Sequence, residues 1–107
     1  MGISDFENIL LSISKDIKEK FHDFKGIYFY GSRIRGNFNE DSDYDIVLVF
    51  NQSIDSSLEK QILSIIYKYE LEYEILIDFS CYDNQDFSRT LTPFRKAVIE
   101  EGRFYAI

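Results

Sequence analysis

The run Ile46-Val47-Leu48-Val49-Phe50 constrains this chain more than any other segment, because an extended peptide alternates its side chains and here both faces are apolar. Such a strand belongs in the middle of a sheet with a packed layer on each side. Directly before it stands Asp43-Tyr44-Asp45, which places two carboxylates on one face of the extended chain. Val47 and Val49 continue that face, whereas Tyr44, Ile46, Leu48 and Phe50 form the other. The carboxylates thus mark the entrance to a central strand.

The other elements follow from periodicity and capping signals. Ser4 and Glu7 make a capping-box pattern, and Phe6, Ile9, Leu10, Ile13, Ile17 and Phe21 recur at helical spacing, predicting a helix over about residues 5–22. Ile27-Tyr28-Phe29-Tyr30 reads as a strand that ends at Gly31. Ser32 is an expected N-cap for a short helical turn reaching Gly36, after which Asn37 to Ser42 form a polar connection. A second capping box, Ser56 to Glu59, opens a helix carrying Leu58, Ile62, Ile65, Ile66 and Tyr69, predicted to end at about residue 70. Tyr73, Ile75, Ile77 and Phe79 then alternate with Glu74, Leu76, Asp78 and Ser80, which predicts a third strand with Asp78 on its more polar face. Tyr82 to Asp86 reads as a polar loop. Thr92-Pro93 and Gly102 bound a last helix over about residues 93–101, followed by a short terminal strand.

The 107 residues suit one domain, 1–107, and a 45% hydrophobic share is enough to build a core. A net charge of −7, from 12 Lys and Arg against 19 Asp and Glu, argues against a long nucleic acid as substrate. Cys81 is the sole cysteine, which excludes an internal disulfide and a thiolate metal cluster, and the single His22 sits where a helix should end. The N-terminus lacks the pattern of a signal peptide and no run is long enough to span a membrane, so a cytoplasmic protein without membrane contact is expected. Eight tyrosines and ten phenylalanines supply the core and leave aromatic surface for association with a partner or a second copy.

The chemistry is concentrated around the central strand. Asp43 and Asp45, joined by Asp78 from a neighbouring strand, offer hard oxygen ligands suited to two Mg²⁺ ions in phosphoryl transfer. Upstream, Gly31-Ser32 is separated from Asp43 by ten residues and sits at a strand end, where backbone N–H groups and the Ser32 hydroxyl can meet a triphosphate. Of the two nearby cations, Arg33 is preferred to Arg35 for the phosphates, because the two are separated by Ile34 and both are not expected to face them. A calcium loop starting at Asp41 is disfavoured, since its sixth position is Ile46 in place of Gly and its twelfth Gln52 in place of Glu.

Gly31-Ser32-Arg33-Ile34-Arg35-Gly36 followed by Ser42-Asp43-Tyr44-Asp45 resembles the signature of the minimal nucleotidyltransferases of the DNA polymerase β superfamily. Asp78 matches the third carboxylate of that family in position and setting, and the ending from Ile99 to Tyr105 is similar to its tail. The resemblance implies an α+β, polymerase β-like fold, a small mixed sheet packed with helices. It further implies transfer of AMP from ATP, or of a nucleotide from another NTP, to a tyrosine of a small helical HEPN-type protein paired with it as toxin and antitoxin. Two other readings stand beside this one, a non-catalytic binding antitoxin and a transferase for a small molecule such as an aminoglycoside.

Overall fold

The computed structural model describes residues 2–89 and 92–107. The chain runs α1 (Ile3–Lys20), β1 (Phe24–Tyr30), α2 (Ser32–Arg35), β2 (Tyr44–Phe50), α3 (Ser56–Tyr73), β3 (Ile77–Asp83), α4 (Asn84–Arg89), α5 (Pro93–Glu101) and β4 (Arg103–Ala106). The strands form a mixed sheet in the order β3-β2-β1-β4, parallel between β2 and β3 and antiparallel elsewhere. β2 is an inner strand, as its two apolar faces require, and residues 46–50 are all buried.

The two faces of β2 carry different layers. Tyr44, Ile46, Leu48 and Phe50 join Phe24, Ile27 and Phe29 of β1 beneath α1 and α3, where Phe6, Leu10, Ile13, Ile17, Ile62 and Ile66 are fully buried. On the opposite face Val47 and Val49 pack with Phe87 of α4 and Val98 of α5, flanked by Tyr28, Tyr30 and Tyr82. Phe6 bridges the main core to the carboxylate segment, with its ring 4.1 Å from that of Tyr44 and 4.8 Å from that of Phe29. Phe6→Ala is therefore expected to lower stability by about 3–5 kcal/mol, as read by urea denaturation.

The structure departs from the sequence expectations mainly at element ends. α1 begins at Ile3, and its first turn is closed by the Gly2 N–H donating to the Asp5 carboxylate at 3.1 Å rather than by a Ser4 and Glu7 pair. Glu7 instead accepts from the Tyr105 hydroxyl at 2.7 Å and ties β4 to α1. Ser32 lies inside α2, with Gly31 at its N-cap. α3 continues through Tyr73 and closes on Glu74 in the left-handed conformation, so β3 spans Ile77–Asp83 instead of starting near residue 73. The expected loop from Tyr82 to Asp86 is divided between the end of β3, Tyr82 and Asp83, and a short helix, Asn84 to Arg89, anchored by buried Phe87.

No helix is long and apolar enough to cross a membrane among the described residues. Leu63, Tyr67 and Leu71, spaced four residues apart on α3, are each more than half exposed.

Candidate active site

Strand register decides which side chains meet. Asp45 pairs with Tyr30 across the antiparallel β1–β2 ladder and with Asp78 across the parallel β2–β3 ladder. Directly paired residues project to the same face, so Tyr30, Asp45 and Asp78 stand in a row across the sheet. The row lies at the N-terminal ends of β2 and β3 and the C-terminal end of β1, on the face that carries Val47 and Val49. Farther along that face α4 and α5 cover Val47 and Val49 with Phe87 and Val98.

Gly31 follows Tyr30 and brings its backbone hard against the row. It has φ 88° and ψ −163°, a conformation open to glycine, and a Cβ built there would overlap Oδ2 of Asp45 and lie 2.9 Å from its Cγ. The Gly31 carbonyl accepts from the N–H groups of Ile34 and Arg35, both at 3.1 Å. The N–H groups of Ser32 and Arg33 open α2 and have no acceptor within the helix.

The electrostatics of the row are those of carboxylates crowded together. The Asp45 carboxyl is pushed up to about 6, first by burial and then by the charges of Asp78 and Asp43; Arg35 pulls it down, and a hydrogen bond to Asp78 adds to the rise. Burial, followed by the charges of Asp45 and Asp78, pushes the Tyr30 hydroxyl up to about 12. Tyr30 therefore stays a neutral phenol at physiological pH.

The expected site residues have different fates. Asp45 and Asp78 come together, whereas Asp43 precedes β2, is exposed, and acts on Asp45 through its charge. Among the described residues no three His, Cys, Asp or Glu groups form a ready-made metal cage. The set still fits a hard cation whose remaining ligands are phosphate and water oxygens, because its donors are carboxylates whose mutual repulsion a cation relieves.

Arg33, expected at the triphosphate, is 7% exposed and occupied by its own chain. Its guanidinium donates to the Ser42 carbonyl from Nε at 3.3 Å and from Nη2 at 2.9 Å, and to the Glu40 carbonyl at 3.2 Å. Arg35 is the cation that acts on Asp45, and it also pairs with Glu101 at 3.9 Å. Its place one turn after Gly31 was a usable sequence signal, since residues four apart share a helix face. Tyr30 could be found only from strand register.

Comparison with known proteins adds to this geometry. The family described as Nucleotidyltransferase domain matches residues 10–105. A Methanocaldococcus jannaschii protein named "Putative protein adenylyltransferase MJ0604" is 29% identical over 104 residues, covering 95% of this chain and 92% of its own. A second protein of that organism, "Putative protein adenylyltransferase MJ0141", is 28% identical over 75 residues, 70% of either chain. A crystal structure described as the toxin-antitoxin with AMP-PNP has a TM-score of 0.62 at 19% identity, covering 92% of this chain and 70% of that one. At that identity the likeness concerns the fold.

Proposed function

Because the chain belongs to the nucleotidyltransferase domain family and has its polymerase β-like fold, we propose that it transfers AMP from ATP to a hydroxyl of a partner protein. The observation that carries this reading is the carboxylate row, with Gly31 pressed against Asp45 at the strand end where a triphosphate can approach the backbone. The names of the two archaeal relatives support protein as the acceptor class, and the toxin-antitoxin neighbour supports a paired partner. A small helical HEPN-type protein is the acceptor proposed.

In this reading an acceptor oxygen forms a bond to the α-phosphorus while the bond to the bridging α,β-oxygen breaks and pyrophosphate departs. Asp78, exposed at the start of β3, receives the acceptor proton. The N–H groups of Ser32 and Arg33, which have no acceptor within α2, bind β- and γ-phosphate oxygens together with the Ser32 hydroxyl. Arg35 offsets negative charge beside Asp45. Mg²⁺ held by Asp43, Asp45 and Asp78 would supply neutralisation of the triphosphate and of the leaving pyrophosphate.

The test is incubation of the chain with a candidate HEPN-type helical protein, α-labelled ATP and Mg²⁺, with an aminoglycoside in a parallel reaction, followed by mass spectrometry of each acceptor. An AMP adduct on a partner tyrosine, abolished by chelation, is expected. Partner inhibition without an adduct would replace the enzyme by a binding antitoxin, and label found on an aminoglycoside instead would move the acceptor to a small molecule.

A further inference from the structure

We propose that the side chain of Arg33 is a positioning group that holds the connection between α2 and β2 so that Asp43 stands beside Asp45, and that its guanidinium does not bind the triphosphate. The inference rests on the proposed role of the carboxylates. Its ground is the engagement of the guanidinium. Two donors converge on the carbonyl of Ser42, the residue immediately before Asp43, and one of them also reaches the Glu40 carbonyl. The ring of Tyr44, the residue immediately after Asp43, lies 4.2 Å from the guanidinium carbon, and the ring of Phe38 lies 4.6 Å from it. Arg33 thus grips the chain on both sides of Asp43.

That grip has a physical purpose. Residues 36–41 are exposed; the Gly36 N–H donates back to the Ser32 carbonyl of α2 and the Tyr44 N–H donates to the Leu76 carbonyl, both at 2.9 Å, while between these two ends the hydrogen bonds other than those of Arg33 join Asn39 to Asp41 and Ser42. Asp43 repels Asp45, so an unrestrained connection would relax by carrying Asp43 away from the row. Holding it in place beforehand removes that ordering cost from metal and nucleotide binding. The planar guanidinium can stack on rings while donating in its own plane, which an ammonium cannot do.

The inference makes Arg33 act through Asp43, and a double-mutant cycle reads this directly. The affinity of Mn²⁺-ATP would be measured by calorimetry for the wild type, Arg33→Lys, Asp43→Asn and the double variant, with metal-free ATP titrated in parallel in chelator. Arg33→Lys is expected to weaken Mn²⁺-ATP by about tenfold, as loss of an outer support of a metal ligand does. It should leave metal-free ATP binding unchanged and add nothing to the loss from Asp43→Asn.

Phe38→Ala removes a partly exposed ring from the same grip and should weaken Mn²⁺-ATP by about threefold, providing a second reading if Arg33→Lys fails to fold. Weaker metal-free ATP binding in Arg33→Lys, or additive losses in the double variant, would make Arg33 a phosphate ligand and overturn the inference. Unchanged Mn²⁺-ATP affinity in Asp43→Asn would instead remove the carboxylate reading beneath it.

Discussion

Asp45→Asn is expected to reduce nucleotidyl transfer by at least about a thousandfold while raising the melting temperature of the metal-free protein at pH 8 by about 5 °C. The two effects have one cause. Asp45 is partly buried beside Asp78 and Asp43, and its carboxyl is pushed up to about 6 from an ordinary 3.8. A carboxyl with a higher pKa in the folded state holds its proton there after the unfolded chain has lost its own. Stability therefore falls as pH rises from about 4 to about 6, and the loss is fully present above that range.

Asn removes the charge and keeps the shape, so the variant escapes the loss. With solvent screening at a partly exposed group, the gain is about 1–2 kcal/mol at pH 8 and vanishes below about pH 4. Thermal melts of both proteins in chelator, at pH 4 to 8, check the sign. Added Mg²⁺ should raise the wild-type melting temperature and narrow the gap, because a cation offsets the same repulsion. A variant less stable than the wild type at pH 8 would refute the crowded-carboxylate account, and undiminished transfer would remove Asp45 from catalysis.

Gly31→Ala should also abolish activity, but with the opposite effect on stability. The added Cβ would overlap the Asp45 carboxylate, and φ 88° is unfavourable for alanine before any contact is counted. Either Asp45 turns out of the row or the strand end shifts, at a cost of about 2–4 kcal/mol. The variant is expected to melt well below the wild type and to lose transfer even when fully folded at low temperature. Adding Asp45→Ala removes Oδ2 and Cγ from the collision and should recover part of the stability, leaving the backbone strain and the tight 3.1 Å approach to the Cβ of residue 45. No recovery in the double variant would show that Asp45 is not what the methyl strikes.

The core was readable where one period dominated. The stripes of α1 and α3 repeat over several turns, and the helical buried face follows them through Phe6, Leu10, Ile13 and Ile17 and through Leu58, Ile62 and Ile66. At the end of α3 the two periods overlap. Tyr73, Ile75, Ile77 and Phe79 alternate as a strand would, yet Tyr73 stays helical and stacks on Tyr69 at 6.4 Å. The Glu70 carboxylate then accepts from the Ile77 N–H at 2.9 Å, which secures the turn into β3. A contact between a helix side chain and a strand backbone leaves no mark in the hydrophobic period.

Composition and pattern were enough to specify an inner strand, the longer helices α1, α3 and α5, Gly31 at a strand end and Asp45 at the strand entrance, because each depends on neighbours in the chain. Which groups meet depended on register, since pairing Asp45 with both Tyr30 and Asp78 joins residues from three separate strands. The same holds for the arginines. Sequence gives Arg33 and Arg35 equal charge, but folding buries the first among carbonyls and aromatic rings and leaves the second about half exposed and acting on Asp45. A buried guanidinium must find acceptors within the protein, and only the folded connection brings Ser42 and Glu40 within its reach.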